Sequence, residues 1–342
     1  MDKDNKMRKI LVTGGAGFIG TNLVLNLLMD GENKVVILDN LSRKGTEKNL
    51  ELLFSRGFKN LQFVRGDIRD YRLVKKLTEK TNAIFHLAAQ VAVTTSVEYP
   101  LDDFEVNALG TLYLLESCRK NAKNALFLYA STNKVYGSLS HLKLRSFKTR
   151  YMLLDRANGI DENEPLDFFS PYGCSKGAGD QYVRDYSRIY QMKTVVFRQS
   201  CIYGQYQHGN VDQGWVVHFI KKAMKGEKIT IYGDGKQVRD ILHVNDLIDA
   251  YVRVLNNKNK AAGKVFNIGG GIKNTFSLLE LINYLERLLG REIKYEFGCW
   301  RPGDQKVFIS NNRLFERTTG WKPRIGKEKG IRMLVEWLSK EA

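Results

Sequence analysis

The chain has 342 residues, with 54 Lys and Arg against 37 Asp and Glu for a formal charge of +17, and 43% hydrophobic and 11% aromatic residues. That length holds one large α/β domain plus a smaller lobe, and the composition excludes a disordered chain. No apolar run reaches the roughly 18 residues of a membrane span, and the charged opening MDKDNKMRK lacks the apolar core of a leader, so a cytoplasmic protein with no membrane partner is expected.

The first strand, KILVT, runs into TGGAGFIG and then into a helix over 21–29. In this strand, glycine turn and helix, Gly14 permits the tight turn, Gly17 lets backbone approach a pyrophosphate, and Gly20 lets the helix pack on the strand. The helix N-terminus adds free N–H groups and a positive dipole end. The second strand, VVILD, ends at Asp39, about 20 residues past the last glycine, where a carboxylate accepts both ribose hydroxyls and repels a 2′-phosphate. Arg43 and Lys44 follow and leave the phosphorylated cofactor open.

Further strands, LQFVRGD, AIFHLAA, ALFLYAS and TVVFR, alternate with helices predicted over 71–79, 102–119 and 172–190. Hydrophobic strands separated by helices imply an α/β fold, a doubly wound parallel sheet with ligands along one edge. The polar connection 138–165 is long enough to read as a functional cover. After Arg198 the rhythm loosens into a smaller α/β lobe with helices over 278–289 and 330–338. The expected division is a dinucleotide-binding domain over 1–198, with 234–265 returning to it, and a substrate lobe from 199–233 and 266–342.

The chemistry lies at the end of the fifth strand and forty residues beyond Thr132, in SPYGCSKGAGDQY. Tyr172 and Lys176 stand one helical turn apart, on one face. A phenol with an ordinary pKa of about 10 needs roughly 4 kcal/mol to become a base near neutrality, the order one ammonium supplies at about 4 Å in an effective dielectric of about 20. Thr132 or Ser131 would hold the same substrate oxygen in line. Cys118, Cys174, Cys201 and Cys299 and the five histidines have no metal-ligand spacing, so no metal is expected; Cys174 reads as a packing residue.

Together the glycine loop, the Ser-Thr strand end and YxxxK resemble the extended short-chain dehydrogenase/reductase family, the NAD-dependent sugar epimerases and dehydratases, over nearly the whole chain. The resemblance implies a Rossmann domain with NAD as cofactor. It places the pyrophosphate on Gly14, Gly17, Phe18, Ile19 and Gly20, the ribose on Asp39 and Asn40, and the adenine by Asp67 and Ile68. Ala88, Ala89 and Gln90 would line the nicotinamide side with Asn107 supporting them; Thr132, Tyr172 and Lys176 would be the catalytic set, the last two also touching cofactor.

Dehydratases of this family carry an Asp-Glu pair just after the Ser/Thr; here Asn133 and Lys134 stand there, which disfavours elimination and leaves reversible oxidation. The strings DNLSRKG, STNKVYG, DQGWV and GKQVRDILH, with the 138–165 connection, resemble the CDP-paratose (CDP-tyvelose) 2-epimerase branch. That branch implies a CDP-hexose substrate, transiently oxidised at carbon 2. Arg239 and Arg301 resemble the arginines that sister enzymes place on the diphosphate, Thr230 and Tyr232 are candidate base contacts, and Asn133 joins the substrate set. Trp215 either packs on substrate or fills core. A UDP-hexose 4-epimerase, an NADP-dependent reductase and an idle NAD-sensing or RNA-binding protein are the alternatives. The basic residues are scattered and no nucleic-acid signature accompanies them, so no nucleic-acid partner is expected. Apolar residues on several faces of the 102–119 and 172–190 helices, as in relatives that pair them, imply a homodimer or homotetramer.

Overall fold

A computed structural model describes residues 7–29, 31–210, 212–301 and 303–341; residues 1–6, most of the opening read as leaderless, lie outside them. Among the described residues, seven parallel strands form the main sheet: β1 (Arg8–Thr13), β2 (Asn33–Asp39), β3 (Leu61–Arg65), β4 (Ala83–His86), β5 (Leu126–Thr132), β6 (Lys193–Gln199) and β7 (Lys264–Ile268). Their order is β7-β6-β5-β4-β1-β2-β3. The chain winds outward from β1 in one direction and then from β4 in the other, so a crevice opens beyond the carboxyl ends of those two strands.

Alternation along each strand separates two cores. Ile10, Val12, Ile37, Phe85, Leu128 and Phe197 face one layer, while Leu11, Val36, Leu38, Ile84, Phe127 and Val196 face the other. The first layer takes helices Phe18–Met29 and Val244–Asn256; the second takes Gly110–Asn121 and Ser170–Tyr190. A third core joins helices Trp215–Lys225, Leu278–Leu289 and Lys327–Glu341 in the smaller lobe.

Packing moves some expected limits. The return expected over 234–265 is shifted: Val238–His243 pairs outside the main sheet, with Cys201–Tyr203, Thr275–Ser277 and Val307–Phe308, and the return runs to Ile268, because β7 pairs with β6 over Lys264–Ile268. Phe315 and Trp321, placed by sequence in the lobe, pack into the first layer of the sheet. The helix expected over 102–119 is broken: Pro100–Phe104 leads through a wider π turn, Glu105–Leu109, into Gly110–Asn121. Such turns re-aim side chains, and Asn107 sits in this one.

The 138–165 connection does not cover the crevice. It forms a hairpin, Leu144–Ser146 with Tyr151–Leu153, strapped to the lobe. The Tyr151 amide donates to Lys236 O at 3.0 Å, its phenol to Asp234 Oδ2 at 2.5 Å, and the Asn267 amide of β7 to Glu162 Oε1 at 2.7 Å. A loop carrying this many partners in both lobes acts as a brace.

Candidate functional site

At the switch point Gly14 follows β1 with φ +70 and Ala88 follows β4; a Cβ on Gly14 would stand 2.7 Å from the Ala88 amide nitrogen. Gly20 is tighter still, its Cβ meeting Gly14 O at 2.2 Å, and at Gly17 a Cβ would reach 3.1 Å from that oxygen. No residue with a side chain keeps this loop so close to the neighbouring strand. The Asp39 carboxylate braces the loop by accepting from the amides of Ala16 (3.1 Å) and Leu41 (2.9 Å). Burial raises the Asp39 pKa, against the pull of those amides and of Arg43.

The loop opens into a cleft of about 1230 Å³ running between the sheet edge and the smaller lobe. All the site residues read from sequence line it, from Gly14 to Arg301, except Asn107. Asn107 stands behind the wall: its side chain accepts from Gln90 N (3.0 Å) and donates to Gln90 O (3.0 Å), Asp103 Oδ1 (3.0 Å) and Ser175 Oγ (3.1 Å). Asn40 Nδ2 donates to Asp67 Oδ2 at 3.0 Å. Burial alone would raise the Asp67 carboxyl, but hydrogen bonds from Arg69 and Asn40 carry it below the usual range.

Tyr172 and Lys176 share one face of the Ser170–Tyr190 helix and line the cleft with Thr132, whose hydroxyl donates to Asn133 Oδ1 at 3.3 Å. The electrostatics differ from the expected ammonium-activated phenol. Burial pushes Tyr172 up to about 12; Thr132 and Arg43 oppose that rise and Asp103 adds to it. Lys176 Nζ donates to Ala130 O at 2.7 Å and lies 4.1 Å from the Tyr129 ring centroid. Burial pulls Lys176 down to about 7, partly offset by Asp180 and Asp103.

Ser131 does not share the position of Thr132. Successive strand residues face opposite ways, and its hydroxyl donates to Asp180 Oδ2 at 2.8 Å. Asp180 is held in turn by the Arg198 guanidinium through two 2.9 Å bonds. Cys174, expected to pack, is exposed and does not line the cleft.

On the lobe side Arg239 Nη1 donates to Val238 O at 2.9 Å and Nη2 to Asp304 Oδ1 at 3.3 Å. The Arg301 guanidinium lies 3.9 Å from the Tyr232 ring centroid and 3.6 Å from Asp212 Oδ1. Thr230 Oγ1 donates to Glu296 Oε1 at 3.2 Å. Trp215 lines the cleft with its indole N–H donating to Cys201 Sγ at 3.4 Å. Asn133 Nδ2 donates to Gln305 Oε1 at 3.2 Å and Lys134 Nζ to Gly303 O at 3.0 Å. Among the described residues no group of His, Cys, Asp and Glu gathers to hold a metal ion.

Sequence reasoning missed two buried carboxylates of this site, Asp103 and Asp180. Both had a signal in spacing: Asp103 precedes Asn107 by one helical turn and Asp180 follows Lys176 by one.

Residues 11–334 match the family model described as GDP-mannose 4,6 dehydratase. The chain is 45% identical to the CDP-paratose 2-epimerase of Salmonella typhi, over 97% of this chain and 99% of that protein. It is 34% identical to a putative UDP-glucose 4-epimerase of Methanocaldococcus jannaschii, over 96% and 98%. Its fold is similar to that of UDP-glucuronic acid 4-epimerase from Bacillus cereus, solved with UDP-glucuronic acid and NAD, at a TM-score of 0.85 and 28% identity over 98% of this chain and 100% of that one. A glycine loop at the switch point, a Thr-Tyr-Lys cluster and these full-length matches agree: the chain belongs to the extended short-chain dehydrogenase/reductase family of epimerases and dehydratases.

Proposed function

We propose that this protein is an NAD-dependent nucleotide-sugar epimerase that inverts carbon 2 of a CDP-linked hexose, interconverting CDP-paratose and CDP-tyvelose. The observation that carries the reading is the pair after Thr132. Asn133 and Lys134 stand where elimination needs carboxylates, and both are tied into the 303–305 segment. Oxidation and reversal remain as the chemistry of the Thr132–Tyr172–Lys176 cluster. The 45% relative supports carbon 2 and a CDP sugar.

The dinucleotide fits the residues present. Gly14, Gly17 and Gly20 keep the loop close to neighbouring backbone; the amides of Gly14, Ala16 and Gly17 are engaged by Leu38 O, Asp39 Oδ2 and Gly14 O, and the helix N-terminus at Phe18 and Ile19 lines the cleft, as a pyrophosphate requires. In this reading Phe18 and Ile19 belong to that loop, Asp39 and Asn40 hold the ribose, Asp67 and Ile68 flank the adenine, and Ala88, Ala89 and Gln90 wall the nicotinamide side. Bound NAD supplies a hydride acceptor for carbon 2 and a positive charge beside the Tyr172 phenol.

Tyr172 takes the proton of the carbon-2 hydroxyl as the carbonyl forms and gives it back on reversal. Thr132, which lines the cleft with Tyr172, orients the sugar oxygen. Lys176 lines the cleft one helical turn from Tyr172, its Nζ held by Ala130 O. Arg239 and Arg301 hold the diphosphate while the sugar turns its other face, with Thr230 and Tyr232 beside the base. Sugars labelled with deuterium at carbon 2 and carried on CDP, UDP and GDP test the reading. A carbon-2 epimer from the CDP sugar with deuterium retained is expected. Loss of label to solvent overturns hydride return, and a carbon-4 epimer from UDP-hexose overturns the carbon-2 assignment.

A further inference from the structure

An epimerase that works by oxidation must keep a neutral keto sugar in place while it rotates, held only by its nucleotide. Among the contacts between the two lobes that grip the ends of that substrate, one small set lies just past the end of the catalytic strand. Lys134 Nζ, two residues past the strand end, donates to Gly303 O at 3.0 Å and pairs with Asp304 Oδ1 at 3.5 Å. Asn133 Nδ2 donates to Gln305 Oε1 at 3.2 Å, and Gln305, fully buried, returns a bond from Nε2 to Gly137 O at 2.7 Å. Asp304 also accepts from Arg239, and two residues past Gln305 the chain enters the short strand Val307–Phe308, paired with Val238 and Arg239. Arg301 stands at the other end of this segment, in the cleft.

We propose that Asn133 and Lys134 are positioning residues that latch the 303–305 segment to the catalytic strand, fixing the diphosphate arginines relative to Thr132 and Tyr172 and retaining the keto sugar until it is reduced. The inference rests on the epimerase reading. Packing alone does not call for a lysine here. Burial lowers the Lys134 pKa, so its ammonium is kept at a cost, offset by Asp304 and the Gly303 carbonyl. Losing one charge-assisted bond of this kind weakens an interaction by about tenfold or more. Asp304 keeps Arg239 as a partner when Lys134 is removed, so the fold survives the change.

The test uses Lys134→Met, Lys134→Arg and Gln305→Ala, each as purified holoenzyme turning over a CDP-hexose, with released keto sugar trapped by borodeuteride. The fraction of turnovers ending in free keto sugar rises about tenfold in Lys134→Met and Gln305→Ala, with the enzyme accumulating in its reduced-cofactor form; Lys134→Arg restores retention. Release at the wild-type level in both overturns the latch. A second readout needs no turnover: in hydrogen exchange with CDP as the probe, amides of 303–308 exchange faster in Lys134→Met than in wild type, and equal rates overturn the proposal. Wild-type enzyme that makes no carbon-2 epimer counts against the epimerase reading, and the exchange experiment still decides the latch.

Discussion

Lys176 donates from Nζ to the carbonyl of Ala130 at 2.7 Å, from a side chain 3% exposed. Burial brings its pKa to about 7, whereas an unfolded lysine titrates near 10.4. Between those values the unfolded chain binds more protons than the native one, so stability gains with pH across that window. Below about pH 7 the cost of the buried charge is fully present, and above about 10.4 it is gone. The stability of wild type relative to Lys176→Met therefore rises by about 1 kcal/mol per pH unit from about pH 7.5 to 9, measured by urea unfolding. A difference that stays flat would show the lysine titrating normally.

Asp180 and Arg198 form a bidentate ion pair with side chains 0% and 3% exposed, and Ser131 adds a third bond. Removing one partner leaves a buried charge without compensation. Asp180→Ala is expected to cost about 3–5 kcal/mol in chemical denaturation, while Asp180→Ala combined with Arg198→Met recovers part of that loss. An Asp180→Ala protein as stable as wild type would mean that the pair holds nothing together.

Wherever one residue type answers one local demand, the sequence was readable. The six hydrophobic runs emerged as β1 to β6; β1, β2, β4, β5 and β6 are largely buried on both faces, which needs an apolar run, while β3 is a half-exposed edge strand. The seventh strand, KVFNI, was missed: Lys264 and Asn267 interrupt it, and Asn267 is tolerated inside only because Tyr136, Glu162 and Ile160 meet its polar groups. The glycine loop and the Tyr-Lys pair were legible from spacing alone. The charge state of that pair was not, since beyond Asp180 on the same helix it depends on Ala130, Tyr129 and Asp103, which only the tertiary fold brings around Lys176. The role of 138–165 was invisible for the same reason: its partners, Lys236, Asp234 and Asn267, lie far along the chain.

The glycine loop offers a graded test. A Cβ at Gly20 meets backbone of Gly14 and Gly15 at 2.2–2.8 Å, whereas at Gly17 the nearest contact is 3.1 Å. Backbone cannot swing aside as a side chain does. Gly20→Ala is therefore expected to be isolated with little dinucleotide and to bind it at least about a hundredfold more weakly, and Gly17→Ala about tenfold, by fluorescence titration. The reverse order would mean that the loop yields at Gly20 and that the tight spacing is not what shapes the site.

The last prediction concerns association. Val97, Tyr99, Leu101 and Phe104 are exposed on or beside helices Val93–Glu98 and Pro100–Phe104, which pack against Ser170–Tyr190, where Tyr182 and Ile189 are exposed one above the other. We propose that a second copy of the chain covers this face, giving a homodimer or a tetramer built from it. Tyr186 on the same helix is buried, its phenol donating to Glu116 Oε1 at 2.9 Å. Each large apolar side chain taken from water stabilises by about 1.5–3 kcal/mol, so placing charges at two of them weakens association by more than about a hundredfold. Sedimentation equilibrium of wild type should give a dimer or tetramer, and Leu101→Glu with Tyr182→Glu a folded monomer. A monomeric wild type, or a double variant that still associates, rejects this face as the contact.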